Sequence, residues 1–159
     1  MLLAVLTISD RCSRGEMQDT AGPAVVNLLK KHWPAAMIQT ALVSDEEEQI
    51  VSRLKQWHSL DAALILTTGG TGLGPRDRTP EATRRVINRE APGLAEAMRA
   101  QGATKTQYAW LSRGVAGLRD NTLIINLPGS RRGAEDSLSA ILALVKHGLE
   151  TVAGSDKHP

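Results

Sequence analysis

The chain has 159 residues, enough for one domain at roughly 150 residues each and for a full core without staples. Hydrophobic residues make up 42% and charged residues 23%, which excludes disordered, collagen-like and low-complexity classes. The net charge is +2 and aromatics are 3%, so there is no basic stripe and no stacking platform for nucleic acid, and no segment approaches the ~20 apolar residues of a bilayer span.

Residues 2–8 (LLAVLTI) form an unbroken apolar run ending at Ser9-Asp10. It lacks a basic n-region, so it reads as a buried parallel strand and not as a signal peptide. Asp19 and Thr20 offer a helix cap, Val25, Val26, Leu28 and Leu29 an apolar face, and Pro34 a stop. Residues 36–43 are a second strand. Ser44 with Glu47 three residues later has the capping-box spacing, ahead of Ile50, Leu54 and Trp57. Residues 62–66 (AALIL) are a third strand, which empties into a glycine loop.

Thr79-Pro80-Glu81 begins a helix expected to reach about Glu90, with a shorter helix over 93–100. Residues 101–113 carry no clear pattern. Residues 122–127 (TLIINL) are a late buried strand. Leu138, Ile141, Leu142, Val145 and Leu149 share one face of a last helix. The expected fold is a single-domain α/β structure, a mostly parallel sheet with helices on both faces. The domain is expected over 1–153, with 154–159 as a flexible tail.

In such folds ligands bind beyond the carboxyl ends of the strands. Those ends carry the unusual chemistry of this chain. Gly69, Gly70, Gly72 and Gly74 are four of the 14 glycines, interleaved with Thr71 and preceded by two threonines. Such a cluster lets backbone N–H groups approach an anion. No Gly-Lys-Ser/Thr follows and the G-x-G-x-x-G spacing is absent, so neither a P-loop ATPase nor an ordinary dehydrogenase is indicated. Asp77, bracketed by Arg76 and Arg78, reads either as a helix-start acid or as a carboxylate holding Mg²⁺ against phosphates. Asp45, at another strand end, has the same two readings. Pro128-Gly129-Ser130 precedes a helix and reads either as an anion site or as a basic loop with Arg131 and Arg132.

The single Cys12 excludes an intrachain disulfide and fits a reducing cytoplasm. It reads as a small residue in the loop after the first strand in preference to a catalytic thiol. His32, His58, His147 and His158 lack metal-ligand spacing and read as solvated or helix-end residues.

Together these strings resemble the MogA/MoaB family of molybdenum-cofactor biosynthesis. The matching strings are Leu66-Thr67-Thr68-Gly69-Gly70-Thr71-Gly72, Pro75-Arg76-Asp77, Thr79-Pro80-Glu81-Ala82-Thr83, Ser9-Asp10, Val43-Ser44-Asp45, Glu90-Ala91-Pro92-Gly93, Leu111-Ser112-Arg113, and residues 123–130 (LIINLPGS). The resemblance covers nearly all of 1–153 and is similar to the MogA type and the gephyrin G domain. It implies a Mg²⁺-dependent molybdopterin adenylyltransferase. Such an enzyme moves AMP from ATP to the terminal phosphate of molybdopterin and releases pyrophosphate. The resemblance also implies a homotrimer and a downstream molybdenum-insertion protein; the scattered basic residues, scarce aromatics and short apolar runs point to no nucleic-acid or membrane partner.

Carried over by position, Asp45 and Asp77 are the catalytic and metal-holding carboxylates. Ser9, Asp10, Gly69, Gly70, Thr71, Gly72, Ser112, Arg113, Pro128, Gly129 and Ser130 are the substrate and nucleotide contacts. The family often has proline before the first aspartate, where this chain has Ser44. The alternative is a non-catalytic molybdopterin-binding or assembly protein of the MoaB type. Competence-damage-protein relatives on the same fold differ in the loop after the glycines.

Overall fold

The computed structural model describes residues 1–154; the expected tail after Gly154, with His158, lies outside the described residues. Elements follow in the order β1 (Leu2–Ile8), α1 (Asp10–Ser13), α2 (Ala21–His32), β2 (Met37–Val43), α3 (Glu47–Ser59), β3 (Ala62–Thr68), α4 (Thr79–Arg84), β4 (Arg89–Glu90), α5 (Pro92–Ala103), a 3-10 helix (Gln107–Leu111), β5 (Ala116–Arg119), β6 (Thr122–Leu127) and α6 (Arg131–Val152).

The sheet order is β2-β1-β3-β6-β5-β4. β2, β1, β3 and β6 are mutually parallel, β5 runs antiparallel to β6, and β4 runs antiparallel to β5. Strand alternation divides the apolar residues between two layers. Leu3, Val5, Leu64, Leu66, Leu123 and Ile125 pack under α2, α5 and α6. Ala4, Leu6, Ile8, Ile65 and Ile124 pack under α3 and α4, where Trp57 is buried. The chain leaves β1 towards β2 on one side and β3 on the other. The crevice at the carboxyl ends of β1 and β3 is therefore a topological switch point.

Several local expectations change. Asp19 caps α2, accepting from the Gly22 N–H at 2.9 Å and from the Thr7 hydroxyl at 2.6 Å. Thr20 makes no side-chain cap bond. The Ser44–Glu47 capping box does not form, because α3 begins at Glu47 and Arg78 and Arg85 take the Glu47 carboxylate. Ser44 instead donates to Gln49 Oε1 at 3.1 Å.

Helix α4 ends at Arg84 and does not reach Glu90. The residue before a proline is pushed from helical to extended backbone, and Ala91 precedes Pro92. The chain accordingly turns extended there and pairs Arg89 and Glu90 with β5. Strand β5 itself carries no strong signal, since its four residues include Gly117. It is held as a hairpin with β6 through Asp120 at φ +52°. His32 and His58 fall in the last turns of α2 and α3.

Candidate active site at the carboxyl ends of the parallel strands

The loops after β1 and β2 are stitched together by two aspartates. The Asp10 N–H donates to Asp45 Oδ2 at 2.8 Å, and the Asp45 N–H donates to Asp10 Oδ1 at 3.0 Å. Arg76 reaches across from the glycine loop to both Asp10 oxygens, at 3.0 and 3.1 Å, and to Glu46 at 2.8 Å. The Arg76 hydrogen bond, with the Asp45 N–H, holds the Asp10 carboxyl below its ordinary range. Burial pushes the Asp45 carboxyl up. The Asp10 N–H opposes that rise, and the charges of Asp10 and Asp77 add to it. Ser9 is occupied in capping α1, its Oγ accepting from the Cys12 N–H at 3.2 Å.

The glycine loop passes close over these ends. Gly69 and Gly70 have φ of +95° and +65°, backbone that glycine alone adopts freely. A Cβ on Gly69 would overlap the Ile8 carbonyl oxygen. A Cβ on Gly70 would overlap Thr79 Oγ1 and lie 3.2 Å from Asp45 Oδ1. Thr79 fastens the turn, its Oγ1 donating to the Gly69 carbonyl at 2.8 Å and its N–H to the Gly70 carbonyl at 3.1 Å. Asp77 folds back onto the loop and accepts from the Gly74 N–H at 2.8 Å. A Cβ on Gly72 would sit 2.9 Å from Asp77 Oδ2. Asp45 and Asp77 therefore converge on the stretch from Gly70 to Gly74. The N–H groups of Gly70, Thr71, Gly72 and Leu73 donate to no acceptor among the described residues, which leaves them free to meet an anion.

The other flank of the loop opens into a cavity of about 310 Å³ whose lining includes Thr71, Gly72, Ser112, Pro128 and Ser130. Ser130 caps α6 by accepting from the Gly133 N–H at 3.1 Å, so the amino terminus of α6 faces this space. Gly129 packs on Gly69, where a Cβ would stand 3.1 Å from the Gly69 Cα. Arg113 is turned into the protein, donating from Nε to the Gly72 carbonyl at 2.7 Å and from Nη2 to the Asp77 carbonyl at 2.6 Å. Ser9, Asp10, Asp45 and Asp77 do not line the cavity. The site thus has a carboxylate half and a cavity half, divided by the glycine loop.

Two features escaped the sequence. Asn126, 1% exposed, donates from Nδ2 to Thr67 Oγ1 at 3.1 Å and Thr83 Oγ1 at 2.9 Å, and accepts from the Val115 N–H at 3.2 Å. It ties β3, α4 and the segment before β5 together beneath the cavity. Its signal was a lone amide inside the apolar run of residues 122–127, since a buried amide needs partners. Lys105 and Asp136 pair at 2.6 Å in the cavity wall. Long-range pairing of this kind has no sequence signature.

Among the described residues no group of three or more His, Cys, Asp or Glu side chains is arranged to hold a metal ion. Nor is any helix long and apolar enough to cross a membrane.

Residues 4–147 match the family model described as a probable molybdopterin binding domain. The molybdopterin adenylyltransferase of Helicobacter pylori (strain J99) is 35% identical over 155 residues, which cover 96% of this chain and 88% of that protein. The solved structure of MogA superposes with a TM-score of 0.91 at 36% identity, covering 96% and 99% of the two chains. The molybdopterin biosynthesis enzyme MoaB of Thermus thermophilus superposes with a TM-score of 0.85 at 50% identity, covering 96% of each chain. Other curated relatives are much longer, and the chain spans only 23% to 47% of the first of these. With nearly its whole length matched by one family model and superposed on MogA and MoaB, the chain belongs to the MogA/MoaB family of molybdopterin-binding domains of molybdenum-cofactor biosynthesis.

Proposed function

We propose that this protein is a molybdopterin adenylyltransferase, transferring AMP from ATP to the terminal phosphate of molybdopterin with release of pyrophosphate. The observation that carries this reading is the convergence of Asp45 and Asp77 on a glycine loop whose N–H groups from Gly70 to Leu73 donate to no acceptor among the described residues and whose other flank opens into a cavity. The relatives named for this activity agree with it.

The donor set suits Mg²⁺. The ion prefers oxygen ligands and is usually held by one or two carboxylates, with water and substrate phosphates completing the shell. Asp45 carries a carboxyl made less acidic first by burial and then by the neighbouring Asp10 and Asp77 charges, an electrostatic arrangement that a cation relieves. Asp45 and Asp77 would hold the ion, which supplies charge neutralisation for the phosphates.

The chain's own residues bind and orient. The N–H groups of Gly70, Thr71, Gly72 and Leu73 hold a phosphate in line, and the amino terminus of α6 at Ser130 receives a second anion. No general base is required, because the attacking molybdopterin phosphate is already an oxyanion. Catalysis then rests on position and electrostatics.

The full reading includes a homotrimer, a cytoplasmic setting, and delivery of adenylylated molybdopterin to a protein that inserts molybdenum. The boundaries 1–153 describe its functional domain. A second reading, molybdopterin binding or assembly without turnover, draws on the family model's description, which names molybdopterin binding alone. Mg²⁺-dependent pyrophosphate release from ATP, assayed with and without molybdopterin, separates them. Release only with both substrates supports transfer; tight molybdopterin binding with no release supports the second reading.

A further inference from the structure

The loop that carries Asp77 is long and rich in glycine, and one side chain from elsewhere in the chain fastens it. Arg113 donates from Nε to the Gly72 carbonyl, from Nη2 to the Asp77 carbonyl, and from Nη1 to the Glu81 carboxylate. Its own N–H donates to the Thr71 carbonyl at 2.8 Å. One residue thus ties down both limbs of the loop and the first turn of α4.

The clamp is itself held. Arg99 of α5 donates to the carbonyls of Ser112 and Gly114, at 3.3 and 3.0 Å, on either side of Arg113. Asn126 fixes Val115 through the bond to its N–H. Glu81 anchors the far end. Burial pushes its carboxyl up, but Arg113 brings it to a net value below its ordinary range. Its second oxygen, Oε2, is buried without a partner. A planar guanidinium with a fixed fork of donors suits this bridging and lysine does not.

We propose that Arg113 is a positioning residue: with Glu81 it sets the place of Asp77 against the glycine loop and does not itself grip the substrate. This inference rests on the adenylyl-transfer reading for its kinetic arm only. The structural arm is hydrogen exchange at the Gly74, Asp77 and Thr79 amides, each bonded within the loop. In Arg113→Lys those three amides should exchange about ten-fold faster or more, while amides in β3 and β6 keep their protection.

In the kinetic arm, kcat for pyrophosphate release should fall at least ten-fold with KM for ATP and molybdopterin changed less than three-fold. Glu81→Gln should reproduce both effects more weakly, and it stands in if Arg113→Lys does not fold. Unchanged exchange in the loop overturns the proposal. So does a raised KM with kcat kept, the signature of direct substrate contact. A wild-type protein that releases no pyrophosphate overturns the adenylyl-transfer reading instead, and the exchange arm then decides the clamp alone.

Discussion

Asp10 and Asp45 hold each other by reciprocal backbone-to-carboxylate hydrogen bonds, 2.8 and 3.0 Å long, between loops 35 residues apart in the chain. The pair aims the Asp45 carboxylate at the glycine loop before any ligand arrives. Preorganisation of this kind makes Asp10 matter without touching phosphate. Asp10→Asn keeps an oxygen for the Asp45 N–H and loses the charge facing Arg76. Asp10→Ala loses both. Turnover is expected to fall in the order wild type, Asn, Ala, with roughly a ten-fold step to Ala, read by pyrophosphate release. Equal activity in Asp10→Ala would show that Asp45 needs no support.

Asp77→Asn removes a negative charge at the point where Mg²⁺ and the ATP phosphates are proposed to meet. Losing one preorganised electrostatic group costs on the order of 10²-fold in kcat. The same substitution is expected to leave the fold intact, because the amide oxygen can still accept from the Gly74 N–H. The paired measurement is turnover against Mg²⁺ concentration and thermal unfolding. Near-normal turnover takes Asp77 out of the mechanism.

How far the sequence could be read depends on the range of the interaction. The parallel strands were legible because each is an apolar run bounded by turn residues, and β1 and β6 match the expected limits of 2–8 and 122–127. The convergence of site residues was legible because ligand sites follow strand ends. Non-local contacts were not. Helix α4 stops short of Glu90 partly for a local reason, Ala91 before Pro92, but nothing near Arg89 and Glu90 says that they pair with β5. Ser44 fails as a cap because Arg78 and Arg85, more than 30 residues away, claim Glu47. Arg113 lay in a stretch without pattern, so only the family resemblance singled it out, as a substrate contact. Its clamp on Gly72, Asp77 and Glu81 emerges only from the folded chain.

The same Glu47 gives a pH prediction. Hydrogen bonds from Arg78 and then Arg85 hold its carboxyl below the ordinary value of 4.5. A depressed folded pKa contributes stability that is present above the unfolded value and lost as pH falls through the folded one. Melting temperature should therefore drop more between pH 5 and pH 3 (both on the order of the carboxylate range) in wild type than in Glu47→Gln. The difference is a few degrees at most, because these arginines are exposed and such pairs contribute only ~0.2–1 kcal/mol. Salt should shrink it further. Identical acid profiles would show the cluster to be energetically silent.

Assembly has its own test. Tyr108, Trp110 and Leu111 stand exposed together on the 3-10 helix, at 70%, 59% and 51%, and neighbouring apolar side chains left in water are a common mark of an interface. The proposed homotrimer predicts a light-scattering mass near three times 17.1 kDa at micromolar concentration. A single-chain mass contradicts it.

The glycine loop separates structural strain from ligand contact within a few residues. Gly70 sits at φ +65° with no room for a Cβ beside Thr79 Oγ1. Alanine there meets both the left-handed backbone penalty and a steric overlap, so Gly70→Ala is expected to cost about 1–3 kcal/mol, a fall in melting temperature of several degrees. Gly72 has no positive φ, and its only near neighbour is the Asp77 carboxylate, 2.9 Å from an added Cβ. Gly72→Ala should therefore leave the melting temperature within a few degrees while pushing Asp77 aside and crowding the free N–H groups of the loop. Binding of Mg²⁺–ATP should weaken at least ten-fold, ~1.4 kcal/mol. Calorimetry on the folded variants reads both quantities. If Gly72→Ala unfolds the protein but binds normally whenever folded, the loop is only a turn and the phosphate cradle is wrong.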